Sequence, residues 1–74
     1  MTFINKHGIR LEVGMEVKHM KTGTIIKIAH FQKSSVNTAD IWVNPKGKQN
    51  RCMIHVDNAI LPNQHWVKGE LITD

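Results

Sequence analysis

The stretch Val13-Gly14-Met15-Glu16-Val17-Lys18-His19-Met20-Lys21-Thr22-Gly23-Thr24-Ile25-Ile26-Lys27-Ile28 decides the fold. From Met15 to Met20 the residues alternate: Met15, Val17 and His19 face one way, and Glu16, Lys18 and Met20 the other. A period of two is the mark of a strand, since successive side chains leave opposite faces of the pleat. Lys21-Thr22-Gly23-Thr24 then reads as a turn, with Gly23 free to take the positive φ that a tight turn requires. Thr24 to Phe31 continues as a longer strand, with Ile26, Ile28 and His30 on one face and Ile25, Lys27, Ala29 and Phe31 on the other. Apolar residues on both faces predict a bent strand that serves two sheets, as in a small barrel. The expectation is a small all-β domain.

The rest of the chain fits that expectation. Phe3-Ile4 and Ile9-Arg10-Leu11, around Lys6-His7-Gly8, read as a small hairpin or an extended lead-in. Gln32 to Ala39 is polar and aperiodic, a loop. Asp40 to Asn44 is a strand with Ile41 and Val43 inward and Trp42 outward. Pro45-Lys46-Gly47-Lys48 is a turn, and Arg51 to Val56 is the partner strand. Cys52, Ile54 and Val56 are expected on its core side, and Arg51, Met53 and His55 on the outer side with Trp42. Asp57-Asn58-Ala59 reads as one short helical or 3₁₀ turn, and Ile60-Leu61 as a brief closing strand ended by Pro62. Residues 63–74 are expected to pair with the N-terminal segment, form a short helix or fray. The core is expected around Val17, Ile26, Ile28, Ile41, Val43 and Ile54.

Seventy-four residues make one domain with a small core, which holds stability to about 3–5 kcal/mol. Cys52 is the single cysteine, so no disulfide forms within the chain, and a lone cysteine fits a reducing, cytoplasmic setting. No apolar run is long enough to span a bilayer. The formal net charge is +4, unevenly placed: Asn5 to Arg51 holds nine basic and three acidic residues, and Cys52 to Asp74 holds Lys68 against Asp57, Glu70 and Asp74. A basic balance of this kind attracts polyanions, of which nucleic acid is the commonest, although a charge of this size also serves plain solubility.

Enzymatic chemistry finds little footing. The carboxylates are scattered and no Gly-rich phosphate loop is present, so the reading is a non-enzyme without cofactor. Five histidines raise the question of a metal: His7, His19, His30, His55 and His65. Zinc needs four ligands converging on one point. Cys52-x-x-His55 puts its two members on opposite faces of a strand, while His19 and His30 either meet across the first hairpin or pack against the core rim. No metal site is expected.

The pattern Gly14-x-x-Val17-x-His19, followed by Thr22-Gly23-Thr24-Ile25-Ile26-Lys27-Ile28, a strand pair around Pro45 to Gln49, and Val56-Asp57-Asn58-Ala59-Ile60-Leu61-Pro62, resembles the KOW and related SH3-like small barrels. The resemblance covers about 13–62. It implies a five-stranded SH3-like barrel with a short 3₁₀ turn before the last strand, flanked by a lead-in at 1–12 and a tail at 63–74. It also implies a binding module, since KOW-like domains contact RNA, DNA or polymerase. In size and style the chain is similar to small phage-encoded factors that act on host proteins.

On this reading nucleic acid is held by Lys21, Lys27, Lys33, Lys46, Lys48 and Arg51 at phosphates, with Trp42 stacking on bases. Trp42 has a second role open to it, closing an end of the barrel under the N-terminal segment or tail. Phe31 and Trp66 are each either exposed or docked on the body. The alternative function is a protein-interaction module, a modulator of a host enzyme or polymerase, that binds an acidic partner through a strand edge and the Gln32–Ala39 loop, as a monomer or homodimer.

Overall fold

The computed structural model describes residues 2–36, 38–45 and 51–74, the side chain of residue 45 excepted. Strand is the dominant element: β1 (Thr2–Ile4), β2 (Arg10–Glu12), β3 (Glu16–His19), β4 (Ile25–Lys33), β5 (Ala39–Pro45), β6 (Cys52–His55), a 3₁₀ turn (Val56–Asn58), β7 (Ala59–Ile60), β8 (Gln64–Val67) and β9 (Glu70–Thr73). The all-β expectation holds. No helix among the described residues is long and apolar enough to cross a membrane.

The strands form three antiparallel sheets. β3, β4, β5 and β6 run as a meander, and after the 3₁₀ turn β7 returns to the free side of β3, giving the order β6-β5-β4-β3-β7. The order is open, with β6 and β7 at its edges. β1–β2 and β8–β9 are separate hairpins packed against this sheet. The first hairpin turn forms where the sequence placed it, and Gly23 sits at φ +75°, a conformation that a side chain would strain.

One face of the sheet buries the core. Val17, Ile26, Ile28, Ile41, Val43 and Ile54 lie there as expected, joined by Val56, Ala59 and Ile60 near the return strand. Ile9 and Leu11 of the N-terminal hairpin complete it, and Leu71 packs on it from the C-terminal hairpin. The lead-in and tail therefore supply part of the apolar interior. A chain this short needs every such contact, because a small domain buries only a modest share of its surface.

A polar latch fixes the N-terminal hairpin. Asn5 is buried, yet its amide meets four partners: Nδ2 donates to the carbonyls of Val56 (3.0 Å) and Ala59 (2.8 Å), and Oδ1 accepts the amides of His7 and Ile9 (3.1 Å each). The Lys6 amide donates to Asp57 Oδ1 at 2.9 Å, and His7 Nε2 donates to the Asp57 carbonyl at 2.9 Å. The tip of the first hairpin thus supplies partners to the carbonyls of Val56 and Asp57 in the 3₁₀ turn, where Val56 O also accepts the Ala59 amide and Asn58 O the Met20 amide.

Three expectations for the elements are corrected. Residues 63–74 form neither a helix nor a strand paired with the N-terminus, but a hairpin of their own, β8–β9. Its two-residue turn has Lys68 at φ 52° and Gly69 at φ 79°, and two positive φ angles match the twist of the strands they join. Next, the polar loop is shorter than Gln32–Ala39. Gln32 and Lys33 belong to β4 and Ala39 to β5, paired Gln32↔Asp40 and Lys33↔Ala39. Finally, Cys52 is exposed, not buried with Ile54 and Val56. It lies opposite Val43 at the first residue of an edge strand, where β6 has no further strand beside it.

The expected alternation along β4 also fails, at one point. The register runs Ile28↔Val43 and then His30↔Trp42, so Ala29 is an extra residue. This bulge reverses the parity. His30 moves to the outer face beside Trp42, and Phe31 moves to the inner face opposite Ile41, where it packs against the core. Burying a phenylalanine stabilises by roughly 1.5–3 kcal/mol, whereas a histidine carried inward needs a hydrogen-bond partner there. The small Ala29 absorbs the difference.

Candidate nucleic-acid interface

The outer face of the five-stranded sheet is built from residues that alternate with the core. Lys27 lies opposite Asn44, His30 opposite Trp42, Gln32 opposite Asp40, and Trp42 opposite Met53 on β6. Met53 is 41% exposed, and His30, Gln32 and Lys27 are exposed. Trp42 is half-buried among them.

Two contacts organise this face. The rings of His30 and Trp42 stack with centroids 5.8 Å apart and planes inclined by 27°. Trp42 Nε1 donates to Gln32 Oε1 at 3.0 Å. The hydrogen bond holds the indole in one orientation, and Gln32 sits where it does because the bulge put positions 30 and 32 on the outer face. Among the described residues Trp42 makes its side-chain hydrogen bond and its ring stack within the sheet, with no hydrogen bond to the N-terminal hairpin or the tail. Beyond Ile28, β4 has no β3 residue at its side, because β3 begins at Glu16, the partner of Lys27. His30 itself is exposed.

The seven residues expected to hold nucleic acid do not form one cluster. Lys27 and Trp42 share the outer face, as expected. Arg51 is exposed and immediately precedes β6, two residues from the outward Met53. Lys21 is exposed in the β3–β4 turn, away from the others. Lys33 is opposite Ala39, on the face away from Trp42, and β4 has nine residues between the turn side and Lys33, a span of about 26 Å at roughly 3.3 Å per residue. Lys21 and Lys33 thus sit at opposite ends of the sheet. Lys46 and Lys48, with the Pro45 to Lys48 turn beyond Pro45 itself, lie outside the described residues.

The charge of the face is mixed. Glu16 lies opposite Lys27 and Asp40 opposite Gln32, with no ion pair between Glu16 and Lys27 among the described residues. Lys18, on the face opposite Val17 by alternation, is partly buried: its Nζ donates to the Gln64 carbonyl at 2.9 Å and lies 3.4 Å from His65 Nδ1. The aromatic pair, rather than a dense run of cations, is the distinctive feature here.

The remaining histidines have structural partners. His55 Nδ1 accepts the Asp57 amide at 3.2 Å, capping the 3₁₀ turn, and its Nε2 bonds the Thr38 hydroxyl. His65 Nε2 bonds Asp74 Oδ2 at 2.7 Å. The rings of His7 and Trp66 lie with centroids 5.3 Å apart and planes inclined by 56°, and Trp66 is 36% exposed. His19 and His30 do not meet: the His19 amide bonds the Thr24 carbonyl at the turn end, and His30 is six residues further along, about 20 Å by strand rise. No group of three His, Cys, Asp or Glu side chains among the described residues is placed to hold a metal ion.

His30, Gln32 and Met53 were missed as site residues. A signal for the first two exists in the sequence. The apolar positions Ile26, Ile28 and Phe31 change parity between Ile28 and Phe31, and a change of parity inside one strand is what a bulge produces. No protein-family model, curated protein or solved structure matches this chain.

Proposed function

We propose that this protein is a nucleic-acid-binding module of the KOW or SH3-like kind, working through the outer face of β4, β5 and β6. The observation that carries the reading is the His30–Trp42 stack on an open sheet face, beside Lys27 and Arg51. Flat rings take the faces of bases, and neighbouring cations meet phosphates. The family part of the reading is supported by connectivity: a four-strand meander, a 3₁₀ turn and a short strand that returns to the first strand of the meander. The proposed ligand contacts are Lys27, Trp42 and Arg51, with Lys46 and Lys48 contributing from the segment that leads into Arg51. Lys21 serves as a peripheral phosphate contact, and Lys33, on the face away from Trp42, stands outside the proposed surface.

A second reading has its own observation. β6 is an edge strand of only four residues with Met53 exposed, and such an edge accepts another chain by strand addition. Charge reversal separates the two. In K27E/R51E, binding of a short oligonucleotide at 100 mM salt should fall at least tenfold, and the salt slope should flatten by about 1.4, two single-strand phosphate contacts at roughly 0.7 each. A complex with a protein partner that survives the same changes, with oligonucleotide affinity also unmoved, favours strand addition and overturns the nucleic-acid reading.

A further inference from the structure

The geometry points to an unpaired strand as the ligand: we propose that one base stacks on the open side of His30, extending the Trp42–His30 pair to three rings, while Lys27 meets a phosphate of the same strand. This inference rests on the nucleic-acid reading above and narrows it.

Three observations carry it. First, the bulge at Ala29 brings His30 and Lys27 to the same face although they are three positions apart, an offset that regular alternation would split. A ring and a cation therefore stand at neighbouring places on one surface, the pairing of groups that a nucleotide offers. Second, the Trp42 indole is already oriented by Gln32 Oε1 at 3.0 Å and backed by the His30 ring. A platform fixed before binding loses little freedom when a base arrives. Third, the pairing of β3 with β4 ends at Lys27, and His30 is exposed.

Those features select against a duplex. Within a double helix the bases show their edges in the grooves and hide their faces in the stack. A ring rising from a sheet reaches a face only where the base is unpaired. The mixed charge leads the same way: Glu16 and Asp40 lie on this face, whereas a duplex-binding surface gains most from uniform positive charge.

The test uses the full chain carrying W66F, so that Trp42 is the single tryptophan. Its fluorescence is followed while a ten-nucleotide DNA strand of mixed sequence, the RNA of the same sequence, or the corresponding DNA duplex is added. The expected result is quenching by the single strands, with an affinity at least tenfold above that for the duplex. H30A should lower single-strand affinity about tenfold, within the range known for one base–aromatic stack, and leave weak duplex binding unchanged. H30A alters an exposed side chain, so its circular dichroism should match the parent, which keeps the variant informative if W42A fails to fold. Equal binding of strand and duplex without quenching overturns the stacking inference and leaves the broader nucleic-acid reading standing. Absence of binding to all three overturns both. A preference between the DNA and RNA strands assigns the sugar and supports the inference in either direction.

Discussion

Asn5 shows how much one side chain carries in a chain of this size. Its amide supplies two donors to carbonyls of the 3₁₀ turn and β7 and two acceptor positions to its own hairpin. Leaving a buried polar group unpaired costs about 1–3 kcal/mol, and a domain this small holds roughly 3–5 kcal/mol in total. N5A should therefore lose about 3 kcal/mol in chemical denaturation and lie close to unfolding at room temperature. N5D is nearly the same shape and should be at least as damaging, because it turns a carboxylate oxygen toward the carbonyls of Val56 and Ala59. An N5D variant within about 1 kcal/mol of the parent would contradict this role. Nothing in the sequence marks the long-range half of this role, since the carbonyls that take the Asn5 donors are more than fifty positions away. Trp42 is different: alternation alone places it outward, and what the alternation leaves open is its neighbour.

At the scale of elements, the bulge in β4 decides which side chains form the candidate site. Removing Ala29 closes the bulge and leaves the faces as they are: Ile28 stays inward opposite Val43, His30 outward opposite Trp42 and Phe31 inward opposite Ile41. The burial of Phe31, worth roughly 1.5–3 kcal/mol, is then kept, so the deletion should retain the near-ultraviolet dichroism of the stacked Trp42. Loss of that spectrum would show that the register is set by something other than the inward demand of Phe31. The same comparison explains what was legible beforehand. The β3–β4 hairpin, the strand around Ile41 and Val43, and the 3₁₀ turn follow from short-range signals: alternation, a glycine at a turn, and an Asp-Asn pair before a brief apolar run. The β8–β9 hairpin was hidden because its turn residue is Lys68, an unusual occupant of positive φ, and because Trp66, Val67, Leu71 and Ile72 show no clean period. The candidate site was half legible. Lys27 and Trp42 came from alternation, whereas His30 and Gln32 needed a register shift that local pattern reading treats as continuous strand.

For the whole molecule, charge and aromatic surface divide the work. The net charge of +4 draws a polyanion toward the protein, but the cations are spread over both ends of the sheet and only a few border the stack. Two contacts from Lys27 and Arg51, or four with Lys46 and Lys48, predict a modest salt slope of about −1.4 to −2.8 for a single strand. The affinity that persists at high salt then comes from stacking. The N-terminal hairpin and tail sit elsewhere, Asn5 and His7 on the 3₁₀ turn and Gln64 over Lys18, and belong to the support of the sheet. The most direct measurement of the account is an amide and indole NMR titration of the full chain with a short single-stranded oligonucleotide. The account predicts that the Trp42 indole N–H and the amides of Lys27, His30 and Met53 shift together, while the Trp66 indole and the residues of β1 and β2 stay in place. Shifts confined to the tail and the N-terminal hairpin, or none at a saturating strand concentration, would contradict it.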